Sequence, residues 1–146
     1  MIPRFQSSGE LPPGIHQATW AEVSARFGWN EHRRLLLDGL RRGIDALRHA
    51  GCATVYIDGS FVTTKDMPND FDACWDIQGV DPARLDPVLL TLGDQRAAQK
   101  IKYLGEFLPS QTAIDRVGTV VLDFFQVSKD TGAVKGIVAL DLRGAG

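Results

Sequence analysis

The run Asp70-Phe71-Asp72-Ala73-Cys74-Trp75-Asp76-Ile77 constrains this chain more than any other stretch. Successive side chains of a β-strand point to opposite faces. A strand here sets Asp70, Asp72, Cys74 and Asp76 on one face and Phe71, Ala73, Trp75 and Ile77 on the other. The second face reads as core. On the first, two carboxylates one residue apart repel each other, and each raises the other's pKa unless a cation sits between them. A hard cation with oxygen ligands answers that repulsion, and Mg²⁺ is the natural choice.

The sequence around this run predicts helices and strands mixed in order, hence a sheet covered by helices, an α/β (α+β) fold with a mixed β-sheet. Residues 1–18, with "GELPPGIH", read as an irregular arm, and 19–146 as a single domain. "TWAE" is a capping box, with Thr19 as cap and Glu22 three residues on, and opens a helix that Gly28 ends. Asn30 caps a longer helix through Ala50, whose apolar stripe is Leu37, Leu40, Ile44 and Leu47. Gly39 and Gly43 in that helix imply close packing. Its arginines, 33, 34, 41, 42 and 48, read as a solvated face.

"CATVYID" (52–58) and "DFDACWDI" (70–77) are strands by β-branched and aromatic content. Asp81-Pro82 predicts a helix over 82–92, and 94–104 is helical as well. "RVGTVVLDFFQV" (116–127) reads as the strongest strand, 129–132 as a turn, and 136–142 as a last strand or edge segment.

Length and charge limit the function. A chain of 146 residues with 44% hydrophobic residues supports one domain with a real core. The longest apolar runs are too short to cross a bilayer, and "MIPRFQSSGELPPG" lacks a signal-type apolar stretch, so the expected address is the cytoplasm, with no membrane partner. The two cysteines, 52 and 74, form no metal-binding spacing and read as buried thiols. A net charge of −2 gives no global field for nucleic acid, so phosphate recognition must be local.

A local site is visible. The strand 52–58 ends in Gly59-Ser60, where Gly lets backbone approach a ligand, exposed N–H groups suit phosphate and Ser60 adds a hydroxyl. Lys65 follows in the connecting loop. Asp123 interrupts "TVVLDFFQV", where a charge is costly without a partner, and is the expected third carboxylate if its strand lies beside 70–77.

Gly59-Ser60, nine intervening residues, Asp70-Phe71-Asp72 and a distant Asp123 in "VLDFF" resemble the pattern of polymerase-beta-like nucleotidyltransferases. The size is similar to that of minimal nucleotidyltransferases, which bacteria often encode as partners of toxins such as the helical HEPN proteins. "LPPGIH", "GSFVTTK", "DFDACWD" and "KGIV" also look like an uncharacterised bacterial family of this kind. The resemblance implies a palm-like nucleotidyltransferase fold and an enzyme. Asp70, Asp72 and Asp123 would hold two Mg²⁺ ions and carry catalysis. Gly59, Ser60 and Lys65 would hold the phosphates of an NTP substrate such as ATP. The implied reaction moves an NMP onto a hydroxyl of a protein, which would be AMPylation with ATP, or onto an RNA 3′ end. The implied partner is a toxin-like or acceptor protein. The alternative is a catalytically weak module of the same fold that neutralises a partner by contact. One departure is that Phe61 and Val62 follow Gly-Ser where many relatives carry Arg.

Overall fold

A computed structural model describes residues 1–143, and the last three residues of the expected domain lie outside it. Five strands form one mixed sheet: β1 (Gly14–Ala18), β2 (Thr54–Asp58), β3 (Asp72–Trp75), β4 (Glu106–Pro109) and β5 (Gly136–Asp141), in the spatial order β1-β5-β2-β3-β4. The β1–β5 and β3–β4 pairs are parallel. The β2–β3 and β2–β5 pairs are antiparallel. Four α-helices accompany the sheet: α1 (Trp20–Phe27), α2 (Glu31–His49), α3 (Gly93–Tyr103) and α4 (Val121–Phe125).

The alternation of the 70–77 run decides which face each side chain takes. Phe71, Ala73 and Trp75 are buried in the main core with Leu40, Ile44 and Leu47 of α2 and Phe107 of β4. Each such large aliphatic side chain contributes roughly 1.5–3 kcal/mol on burial. Cys74 faces the other way, into a smaller cluster with Val121, Phe125 and Ile137. Cys52 and Cys74 are both buried free thiols, as expected.

Thr19 and Glu22 close the expected capping box on α1, at 3.1 and 3.0 Å, and Asn30 Oδ1 accepts the Arg33 N–H at 2.7 Å to start α2. The two glycines of α2 are needed for contact. A methyl at Gly39 would lie 2.0 Å from Tyr103 O, and one at Gly43 2.3 Å from the Phe107 ring.

Five expectations change. Within the arm 1–18, residues 14–18 form β1, because the exposed rim of β5 offers backbone groups for them to pair with. The helix expected over 82–92 shrinks to a 3-10 turn at Pro87–Leu90 capped by Asp86, since a second proline inside that span breaks a helix ladder. In α3, Asp94, Gln95 and Arg96 have positive φ, which confines the right-handed helix to the residues after them. Of the two readings of 136–142, the last strand holds, as β5, and the edge segment does not, because β5 lies between β1 and β2.

The fifth change matters most for the site. The stretch 116–127 forms no strand; its central part is helix α4. The place beside β3 is taken by β4. Val121 and Phe125, four residues apart, then cover Cys74 and Ile137 while Asp123 between them turns outward, whereas a strand would carry all three side chains on one face. Packing overrides the β-branched composition.

Candidate functional site

A cleft of about 630 Å³ opens where β2 and β3 meet the 59–70 loop. The loop and strand ends form one wall, the 124–135 segment forms the opposite wall, and Ser8, Gly9 and Glu10 of the N-terminal stretch close one end. Five of the six residues expected from sequence line it: Gly59, Ser60, Lys65, Asp70 and Asp72. Asp123 does not. It sits solvent-exposed on α4, and its neighbour Phe124 reaches the cleft instead. The expected convergence of three carboxylates therefore fails, because a helix turns residues 123 and 124 about 100° apart.

Gly59 joins the two halves of the motif. Its φ is +84°, a backbone conformation that suits glycine, and a methyl there would lie 2.5 Å from Asp72 Oδ2. The turn Ser60–Val62 begins immediately after it. Asp58 and Asp72 are register partners across β2 and β3, so both carboxylates project to the same face.

Burial, and then the acidic side chains acting on one another, raises the carboxylates of the cleft. Asp72 is pushed up to about 7, first by burial and then by Glu106, Asp70 and Asp58. Asp70 is raised by burial and by Glu106, with Lys100, Lys129 and Lys65 opposing. Glu106 is itself held by Arg96 and Lys100, each at 3.2 Å. Asp58 is raised by its burial against the pull of Lys135, with which it forms a buried ion pair. Among the described residues, no group of three His, Cys, Asp or Glu side chains is arranged to hold a metal ion. Besides Asp58, paired with Lys135, the acidic residues of the lining are Glu10, Asp70, Asp72 and Asp130.

The N-terminal end of α2 builds the wall that carries them. The Arg33 guanidinium is fully buried. It donates to the carbonyls of Phe27 (3.1 Å), Phe61 (2.7 Å), Thr63 (2.9 Å) and Lys65, and its Cζ lies 3.6 Å from the Trp29 ring centroid. Burial lowers its pKa to about 10. Trp29 Nε1 and Asn30 Nδ2 donate to Asp66 Oδ1 at 2.8 and 3.0 Å, and His32 Nε2 donates to Pro68 O at 2.5 Å. Four residues of one helix start thus fix the loop between Ser60 and Asp70. Thr64 N–H donates to Gly9 O at 3.0 Å and ties in the N-terminal stretch.

Sequence reasoning placed Arg33 on a solvated face. The signal against that was available: Arg33 precedes Leu37, Leu40, Ile44 and Leu47 at helical steps and so falls on the buried stripe. Lys135 and the N-terminal residues 8–10 were not foreseen as site residues, and neither carries a local signal, since only the sheet order brings them to the cleft. Asp58, read as a cap of the turn, does accept the Gly59 N–H, and it also holds Lys135. Asp76 accepts the Gln78 N–H at 3.0 Å at the strand end.

The described residues that line the cleft lie between Ser8 and Lys135. Residues 3–141 match the model of a family of unknown function, DUF6932. The chain belongs to DUF6932. The cleft is therefore built entirely from residues within the DUF6932 match. No curated protein and no solved structure matches the chain. Among the described residues, no helix is long and apolar enough to cross a membrane.

Proposed function

We propose that the cleft binds a nucleoside triphosphate with Mg²⁺ and transfers its NMP moiety to a hydroxyl group, in a domain of nucleotidyltransferase type acting in the cytoplasm. The observation that carries this reading is the contact between the two halves of the motif: Gly59, at the Gly-Ser turn, lies directly against the Asp72 carboxylate in a cleft that also holds Asp70 and Lys65. A volume of about 630 Å³ suits a ligand of nucleotide size.

The donor set fits a hard cation. Asp70 and Asp72 are the carboxylates that would hold it; burial first and neighbouring carboxylates second raise their pKa values, and a divalent ion between them would favour the charged forms. Bound there, Mg²⁺ would supply charge neutralisation on the phosphate oxygens. A second ion needs a further donor, and Asp123 is not placed to be one. Five acidic and three basic side chains line the cleft, so a polyphosphate is expected to bind with its metal and poorly without it. Lys65 and Ser60 are positioned on the wall that would meet the phosphates. In the reaction, the acceptor oxygen bonds to the α-phosphorus, the bond to the bridging oxygen breaks, pyrophosphate leaves and the hydroxyl proton goes to solvent or a cleft base. A protein hydroxyl fits the net charge of −2 better than long RNA does.

The position of Asp123 favours a second reading. With that carboxylate outside the cleft, the domain could retain nucleotide and act by contact, as a module that neutralises a toxin-like partner. Val117, Phe124 and Val134 are exposed in the segment carrying Asp123 and offer apolar surface for such a contact.

Incubation with α-labelled NTPs, Mg²⁺ and hydroxyl-bearing acceptor proteins tests the first reading. Transfer of label with pyrophosphate release by the wild type, and its loss in Asp70→Asn/Asp72→Asn, is the expected result. Neutralisation of a partner that survives the double substitution moves the assignment to the second reading. Hydrolysis to NMP without a labelled acceptor overturns transfer.

A further inference from the structure

We propose that Lys135 is the cation that contacts the phosphate chain of the substrate and that Asp58 holds it in place for that contact; this rests on reading the cleft as an NTP site. Of the three lysines lining the cleft, Lys65 and Lys129 are exposed and carried by loops. Lys135 is 7% exposed and immediately precedes β5, a strand paired on both sides. Its ammonium is thus held by a buried partner next to the sheet, whereas the side chains of the other two extend into solvent. It opens the "KGIV" segment, which stands apart in the sequence without an assigned role.

The ion pair is more than a means of packing the interior. Desolvating a lysine and an aspartate costs several kcal/mol, and apolar residues of similar volume commonly serve the fold as well or better. Here both members border the cavity. Among the described residues the Lys135 ammonium donates to Asp58 Oδ1, and an ammonium carries three donors. Lys135 itself lines the cavity, so the donors that Asp58 does not engage are available to a ligand there. Asp58 is also the cross-strand partner of Asp72, so the ammonium stands at the same sheet end as the carboxylates assigned to the cation. A phosphate chain coordinated at Asp70 and Asp72 would therefore lie beside Lys135, with Asp58 setting the direction of the side chain.

The test uses the full chain, Mg²⁺ and inorganic tripolyphosphate, with binding read by calorimetry and folding by thermal unfolding. Lys135→Met strands a buried carboxylate and is expected to lower both stability and affinity. Asp58→Asn/Lys135→Met removes the pair entirely. It is expected to recover most of the wild-type Tm while still binding tripolyphosphate about tenfold to a hundredfold more weakly. The wild-type advantage over this double variant is also expected to shrink as salt rises, which a purely structural pair would not produce. If the double variant binds as tightly as the wild type, Lys135 is a structural residue and the proposal is wrong. If the folded wild type binds neither tripolyphosphate nor ATP with Mg²⁺, the NTP reading itself fails. Should the double variant not fold, Lys135→Gln assayed at a temperature where it is folded decides by the same affinity and salt readouts.

Discussion

The two walls of the cleft are built by different means. The 59–70 wall is bound to the α2 start through a buried guanidinium, two side-chain contacts to Asp66 and one to Pro68. The opposite wall, 124–135, belongs to a segment that rests on a small cluster, with Val121 and Phe125 over Cys74 and Ile137, and that leaves Ile114, Val117, Phe124, Val127 and Val134 exposed. The carboxylates and the Gly-Ser turn stand on or beside the braced wall. The lighter wall carries Asp123 on its outer side and presents Phe124, Val127 and Lys129 to the cleft. Groups that must keep a fixed geometry are thus mounted on the part of the molecule that costs most to deform.

The largest effect should come from the brace. Arg33→Met leaves the carbonyls of Phe61, Thr63 and Lys65 without their donor inside the protein. Each buried orphan costs about 1–3 kcal/mol, so a loss of roughly 3 kcal/mol or more is expected in denaturant unfolding. A loss below about 1 kcal/mol would show that this wall is no better anchored than the other.

Gly59→Ala comes next. The +84° φ and the 2.5 Å approach to Asp72 Oδ2 together should cost about 1–3 kcal/mol and displace the carboxylate. The readout is the Tm and the Mg²⁺ dependence of nucleotide binding, and an unchanged Mg²⁺ dependence would separate the turn from the acid pair.

An effect of comparable size, read through pH, follows from Asp72 itself. Its carboxyl titrates near 7 in the folded protein and near ~3.9 in the unfolded chain. Below about pH 4 both states are protonated. Between there and about 7 the folded state keeps a proton that the unfolded chain has shed, so this group's contribution to stability falls as pH rises. Asp72→Asn removes that dependence. Wild type should therefore lose stability relative to Asp72→Asn between pH 5 and 8, and Mg²⁺ should restore it at pH 8 but not at pH 5. Parallel pH profiles for the two proteins would contradict the description of Asp72 as buried beside other carboxylates.

The smallest effect belongs to Asp123. Exposed on α4 and outside the cleft, it is expected to tolerate Asn within about 0.5 kcal/mol in stability and about twofold in nucleotide affinity. A large affinity loss at this position would bring the lighter wall into the proposed cation site and reverse the contrast.

Much of the braced wall was legible in the sequence. Alternation alone placed Asp70 and Asp72 on one face and Phe71, Ala73 and Trp75 in the core. Caps at Thr19 and Asn30 marked the helix starts. What failed depended on sheet order. Composition favoured a strand at 116–127, but β4 already occupied the edge of β3, and nothing local in "VVLDFF" records which neighbour arrives there. Lys135 was invisible for the same reason: residues 58 and 135 meet only because β5 pairs with β2. Arg33 was misread although its helical phase was available, because the charge of an arginine was weighed above its position on the stripe.

Equilibrium binding of ATP with Mg²⁺ to the wild type and to Asp70→Asn/Asp72→Asn, both verified as folded, bears most directly on whether the braced wall is a metal–nucleotide site. Saturable, Mg²⁺-dependent binding by the wild type and none by the double variant is the expected result. Equal binding by both proteins, or binding indifferent to Mg²⁺, would mean that these two carboxylates do not hold the ion and that the cleft serves some other ligand.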